Sequence, residues 1–180
     1  MQRLFLALSI PDDVAASLAT LQFGVPGARW QNRAQLHLTL RFVGELDGLQ
    51  ARALHDVLTL IDAPEFTLAL HGVGEFGGKR PAAVWVGVRQ SDALLHLQRK
   101  IETAIQRAGF PADRQRFTPH VTLARLRGTQ PGHVMDYLTD HALYSSRPFT
   151  SGAFILYSSL LTSDGSIYRA EQAYRLKETS

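Results

Sequence analysis

Alternation of apolar and polar residues is sharpest between Gln35 and Val43. Leu36, Leu38, Leu40 and Phe42 fall on one side of an extended strand, and His37, Thr39, Arg41 and Val43 on the other. The stretch Pro119–Leu126 repeats the phrase: His120 and Thr122 share one face, while Val121 and Leu123 point into a core. Around these two strands the periodicity switches back and forth. Arg3–Ile10 reads as a strand. Pro11 follows as a first helical residue, with Asp12 and Asp13 suited to a helix start and Val14, Leu18 and Leu21 at helical spacing. Leu49–Ile61 reads as a helix. Phe66–Phe76 and Ala82–Val88 read as strands around a Gly-Gly-Lys-Arg-Pro turn. Asp92–Ala108 is amphipathic and closes at Gly109 and Pro111. A short helix is expected over Gly132–His141. Two last strands, Phe149–Leu161 and Ser166–Leu176, meet at a Ser-Asp-Gly turn.

Strands therefore come in pairs with helices between them. That favours an α+β fold with antiparallel pairing over a doubly wound parallel sheet. No linker or low-complexity segment divides residues 1–180, so a single two-lobed domain is expected. His37 and His120 lie 83 residues apart, close to half the chain. This spacing points to internal duplication, with two similar lobes facing one another.

Composition changes this picture little. Hydrophobic residues make up 45% and charged residues 19%, an ordinary balance for a folded protein. There is no cysteine, which removes disulfides and thiolate zinc sites. The apolar run Leu4–Ile10 ends in Pro11-Asp12-Asp13 rather than a small-residue cleavage site, so it reads as a strand and not a signal peptide. No apolar run approaches a membrane span, and the default location is cytoplasmic. The net charge is +3, and 16 of the 19 basic residues are Arg. They form no long run, so a non-specific nucleic-acid coat is not indicated.

The repeated phrase carries the candidate chemistry. Each strand sets an imidazole beside a hydroxyl on an apolar backing. If the two strands adjoin, they form a cleft with two His and two Thr. One imidazole can take a proton from water while the other gives one to a leaving oxygen. Both protonation states exist near neutrality because the reference pKa of histidine is about 6.5. The hydroxyls of Thr39 and Thr122 can hold non-bridging phosphate oxygens. Such a site suits phosphodiester hydrolysis and requires no metal or other cofactor. Arg125 sits at an odd offset from His120, so a bulge is needed to turn it toward a phosphate. The other five histidines show no metal-ligand spacing and read as surface or capping residues.

The stretches RLFLALSIPDD, HLTLRFVGE, FTPHVTLAR and GSIYRAEQAYRL, in this order, resemble the two-histidine phosphoesterase superfamily. More narrowly, they resemble its RNA 2′,3′-cyclic phosphodiesterases, also described as 2′–5′ RNA ligase-like proteins. The resemblance implies a bilobal α+β fold, with two antiparallel sheets related by a pseudo-twofold around a water-filled cleft. It implies hydrolysis of 2′,3′-cyclic phosphate ends of RNA to a 2′-phosphate. It further implies His37 as proton donor, His120 as proton acceptor, Thr39, Thr122 and Arg125 as phosphate ligands, and Phe42 at the nucleoside. Simple alternation, by contrast, puts Phe42 on the face opposite His37. Expected partners are RNA or oligonucleotide ends, with no membrane and no obligate protein partner. Two other readings stay open. One is a phosphodiesterase for small cyclic nucleotides or 2′–5′ oligoadenylates; the other is a nucleotide- or RNA-binding protein without turnover.

Overall fold

The computed structural model describes residues 1–180. The strands are β1 (Gln2–Ser9), β2 (Ala28–Trp30), β3 (His37–Leu46), β4 (Phe66–Leu68), β5 (Leu70–Phe76), β6 (Ala83–Val88), β7 (His120–Leu126), β8 (Phe149–Ser151), β9 (Ala153–Thr162) and β10 (Gly165–Arg175). The helices are α1 (Asp12–Ala19), α2 (Gly48–Leu58), α3 (Asp92–Arg107) and α4 (Pro131–His141), with a 3-10 turn at Arg33–Gln35.

Strands β10-β9-β1-β3 form one antiparallel half and β5-β6-β7-β2 the other. The halves join edge to edge through one residue pair, Leu38 opposite Val121. Strands β4 and β8 make a separate short ribbon. This is the α+β, two-lobed, antiparallel arrangement expected from the sequence, with β3 and β7 as counterparts at its centre. Its core is one cluster of 33 buried residues, among them Leu38, Leu40, Val121 and Leu123 behind the two motifs. The helices present the matching stripes: Leu54 and Leu58 from α2; Leu94, Leu97, Ile101 and Ile105 from α3. Asp47 caps α2 and Ser91 caps α3, each accepting a backbone N–H three residues on.

Several boundaries differ from the sequence expectation. Pro11 stands just outside α1, because its ψ of 146° is extended. Phe66–Phe76 is two strands broken at Ala69, and Phe149–Leu161 is two strands broken at Gly152, since β4 and β8 leave the main sheet to pair with each other. The three-residue β2 left no recognisable periodicity and was not foreseen.

The most consequential departures are two β-bulges. Leu6 faces Arg41 and Ala7 faces Thr39, so Leu40 is an extra residue in β3. Val84 faces Ala124 and Trp85 faces Thr122, so Leu123 is an extra residue in β7. In both strands two successive residues are buried at that point: Leu40 and Arg41, Leu123 and Ala124. The alternation then resumes out of phase. Phe42 and Arg125, each five residues after its histidine, thereby return to the histidine face. Arg41 goes the other way, into the helix-covered side. Strict alternation had placed Arg41 beside His37 and Phe42 opposite it; the bulge reverses both. Glutamines serve the carbonyls freed by the bulges. Leu123 O accepts from Gln31 N at 2.8 Å and Gln22 Nε2 at 3.2 Å. Leu40 O lies 3.5 Å from Gln98 Nε2.

Candidate active site

One small cavity contains both motif histidines. His37, Thr39 and Phe42 line it from one half, and His120, Thr122 and Arg125 from the other. All six residues singled out in the sequence are thus brought together. Gln31, Gln35 and Tyr168 complete the wall. A larger concavity, of about 420 Å³, lies elsewhere, between α2 and α3, and contains neither motif histidine. Size is outweighed here by the convergence of titratable and hydroxyl groups.

The two imidazoles are held in the same way. His37 Nδ1 lies 2.8 Å from the carbonyl of Gln35, and His120 Nδ1 lies 2.6 Å from the carbonyl of Thr118. A carbonyl only accepts, so Nδ1 carries the hydrogen in both rings. Nε2 is then the nitrogen left free. It is a base when the ring is neutral and a donor when the ring is charged. The tether reaches two residues back along each histidine's own chain, so each short motif carries its own orienting group.

Gln35 does more than supply a carbonyl. Its side chain and that of Asn32 form a reciprocal capping box around the 3-10 turn. Its Nε2 also donates to Ser166 O on β10 at 2.9 Å.

Aromatic rings back both histidines. The His37 ring centroid is 4.9 Å from Phe5 and 5.0 Å from Tyr168, the latter edge-on. His120 meets Phe76 edge-on at 4.9 Å and Trp85 at 5.7 Å. Gly74 makes room for this second group: a Cβ there would lie 2.3 Å from the Trp85 ring.

This packing sets the electrostatics. Burial pushes the His37 pKa down to about 4, against a partly offsetting bond to Gln35 and with His120 and Arg125 adding to the fall. Burial also lowers His120, opposed by Thr118 and reinforced by Arg125. Both shifts favour the neutral ring. An anion between them would oppose the shift, since it favours the charged form of each ring.

An expected result follows for His37. Its imidazole NMR titration in the ligand-free protein should have a midpoint well below 6.5, and added inorganic phosphate should raise it. A ligand-free midpoint at or above 6.5 would contradict the depression. Between pH 6.5 and 4 the unfolded chain binds this proton and the folded chain does not, so stability falls as pH drops through that window and is full above it. The ring keeps a solvent-facing edge, so the loss should stay below the about 3 kcal/mol that the full shift represents.

Fold and cleft together define a class of bilobal α+β proteins with one His-x-Thr strand from each lobe. The chain belongs to the 2′-5′ RNA ligase superfamily, whose family model matches residues 10–159. It is 28% identical over 171 residues to an RNA 2′,3′-cyclic phosphodiesterase of Archaeoglobus fulgidus, covering 93% of this chain and 96% of that one. It is 31% identical over 155 residues to the Escherichia coli protein of the same name, covering 81% and 87% of the two chains. The crystal structure of E. coli LigT complexed with 3′-AMP superposes with a TM-score of 0.80 at 26% identity, covering 97% of this chain and 98% of that one.

Sequence reasoning missed Gln35, Tyr168, Phe76 and Trp85 as neighbours of the histidines. Gln35 had a signal available: it stands two residues before His37, as Thr118 stands before His120. Tyr168, Phe76 and Trp85 come from other strands, and their approach depends on register alone.

No group of three or more His, Asp or Glu side chains converges as a metal site. No helix is long and apolar enough to cross a membrane.

Proposed function

We propose that this chain, acting as a single two-lobed domain, hydrolyses 2′,3′-cyclic phosphate ends of RNA to 2′-phosphates with a two-histidine acid/base pair and no metal. The observation that carries the reading is the matched pair of imidazoles. Each is tethered through Nδ1 to its own strand, each is left with a free Nε2, and both line one cavity with two threonines. A pocket that only bound nucleotides would not need a matched acid and base. The names of the A. fulgidus and E. coli relatives support the same activity.

In this mechanism His120 Nε2 removes a proton from water, which attacks phosphorus. His37 Nε2 donates a proton to the departing 3′ oxygen, and the 2′ ester remains. Thr39 and Thr122 donate hydrogen bonds to the non-bridging oxygens, and Arg125 adds positive charge where the pentacoordinate state concentrates negative charge. Phe42 offers an exposed ring to the nucleoside. The low His37 pKa fits a donor that is charged only when the phosphate is present: the substrate anion raises the affinity of its own acid for a proton.

The test is turnover of an oligoribonucleotide ending in 2′,3′-cyclic phosphate, with EDTA present. The expected product is a 2′-phosphate at an undiminished rate. A 3′-phosphate product, or loss of activity to EDTA that metal restores, would reject the mechanism. Faster turnover of 3′,5′-cyclic nucleotides or 2′–5′ oligoadenylates would move the reading to those substrates.

A further inference from the structure

A groove of about 330 Å³ continues from the catalytic cavity, sharing Gln31, Gln35, Arg125 and Tyr168 with it. It runs along β2 to the turn between β9 and β10, where Arg29, Asp164 and Gly165 line it. Arg29 sits directly opposite Arg125 across the β2–β7 ladder. Residues opposite one another share a face with Cβ atoms about 5 Å apart, and like charges in that position are unfavourable. Both side chains are exposed, and neither forms an ion pair with a carboxylate. Asp164 is the only carboxylate lining the groove, and it is not paired either.

Gly165 keeps the outer end open. Its φ of +119° suits glycine, and a Cβ there would stand 3.3 Å from Arg29 Nη2 and 3.4 Å from Gln35 Nε2. The result is a pair of adjacent guanidiniums, one inside the catalytic cavity and one a strand further out, with no protein anion between them.

We propose that the pair is a two-phosphate clamp: Arg125 faces the cyclic phosphate, and Arg29 takes the 5′-phosphate of the same nucleotide. The RNA strand then leaves through the groove along β2. The inference rests on the cyclic phosphodiesterase reading and adds a reason for preferring RNA ends to free nucleosides: a nucleoside 2′,3′-cyclic phosphate with a 5′-hydroxyl leaves Arg29 without an anion. Arg suits the task because its planar fork meets a phosphate at two oxygens and keeps its charge at every working pH.

The experiment compares adenosine 2′,3′-cyclic phosphate with and without a 5′-phosphate. The wild-type protein should show a KM about tenfold lower for the 5′-phosphorylated form, equivalent to one charged contact of about 1.4 kcal/mol. Arg29→Ala should bring that ratio close to one, and Arg29→Lys should keep part of it. General damage to the cleft would weaken both substrates together and leave the ratio standing, which would overturn the clamp.

Binding separates this inference from the activity reading. Kd values of His120→Ala for adenosine 2′-phosphate and adenosine 2′,5′-bisphosphate need no turnover. If the bisphosphate preference exists and vanishes on adding Arg29→Ala, the clamp stands even where hydrolysis fails. If the two ligands bind His120→Ala alike, the clamp is wrong whatever the protein catalyses.

Discussion

Replacing either His37 or His120 by alanine is expected to slow hydrolysis of a 2′,3′-cyclic phosphate RNA end by about 10²–10⁴-fold. The reason is positional as much as chemical. Each ring is fixed by a carbonyl two residues upstream and by aromatic neighbours, which hold its free Nε2 in one orientation. A proton donor and acceptor that act on one displacement also act as a unit, so the double variant should be little slower than the worse single one. Steady-state rates of the three variants, with thermal melts to confirm folding, check this. Either single variant retaining more than about a tenth of the wild-type rate would remove that histidine from the reaction.

Arg41→Ala is expected to lower stability by about 3 kcal/mol, the scale for removing one partner of a buried ion pair. For a chain of this length that corresponds to a melting temperature lower by about 6–12 °C. Arg41 is only 6% exposed. Its Nε donates to Glu102 Oε2 at 2.5 Å, and its terminal nitrogens donate to the carbonyls of Phe42 and Pro111. Burial would raise the Glu102 pKa, but hydrogen bonds from Arg41, the Asp113 N–H and Gln106 outweigh it and hold the carboxyl below its usual range. Without Arg41, that carboxylate keeps its desolvation and loses its main partner. Replacing both members, as in Arg41→Met with Glu102→Leu, should recover much of the loss, since an apolar pair leaves no charge behind. A melt of Arg41→Ala within about 2 °C of wild type would show that the pair is not coupled to the core. Arg41 also grips the segment Pro111–Asp113, which leads toward His120, so thermal and catalytic losses should be read side by side.

Much of this architecture was legible in the residues. Alternation placed the motif strands at Gln35–Val43 and Pro119–Leu126, and the structure has them at His37–Leu46 and His120–Leu126. The long apolar stripe of α3 was equally plain, because its period is set by burial alone. What could not be read was any change of phase. A bulge leaves no mark in composition: Leu40 and Leu123 look like ordinary core positions, and nothing in His-Leu-Thr-Leu-Arg-Phe announces that Leu and Arg will both turn inward. The placing of Arg41 on the His37 face failed for the same reason. The partners that make its burial tolerable, Glu102 and the carbonyl of Pro111, lie 61 and 70 residues away. For Arg125 the odd offset was itself a clue, since a guanidinium meant for a phosphate required a bulge. The resemblance of Phe42 to a nucleoside-binding aromatic carried the same message, and the matching bulge in each lobe reconciles both with the strand geometry.

The seam between the lobes is a single rung wide, Leu38 against Val121, and lies one residue past each histidine. Slippage of a strand moves in whole residues, and one step inverts every side chain. At this rung a step of β3 would drive His37 into the core and leave Leu38 and Leu40 in water, and a step of β7 would do the same with His120, Val121 and Leu123, at about 1.5–3 kcal/mol per exposed apolar residue. The grease on the far side of the sheet therefore acts as a vernier, holding the two motif imidazoles in alignment.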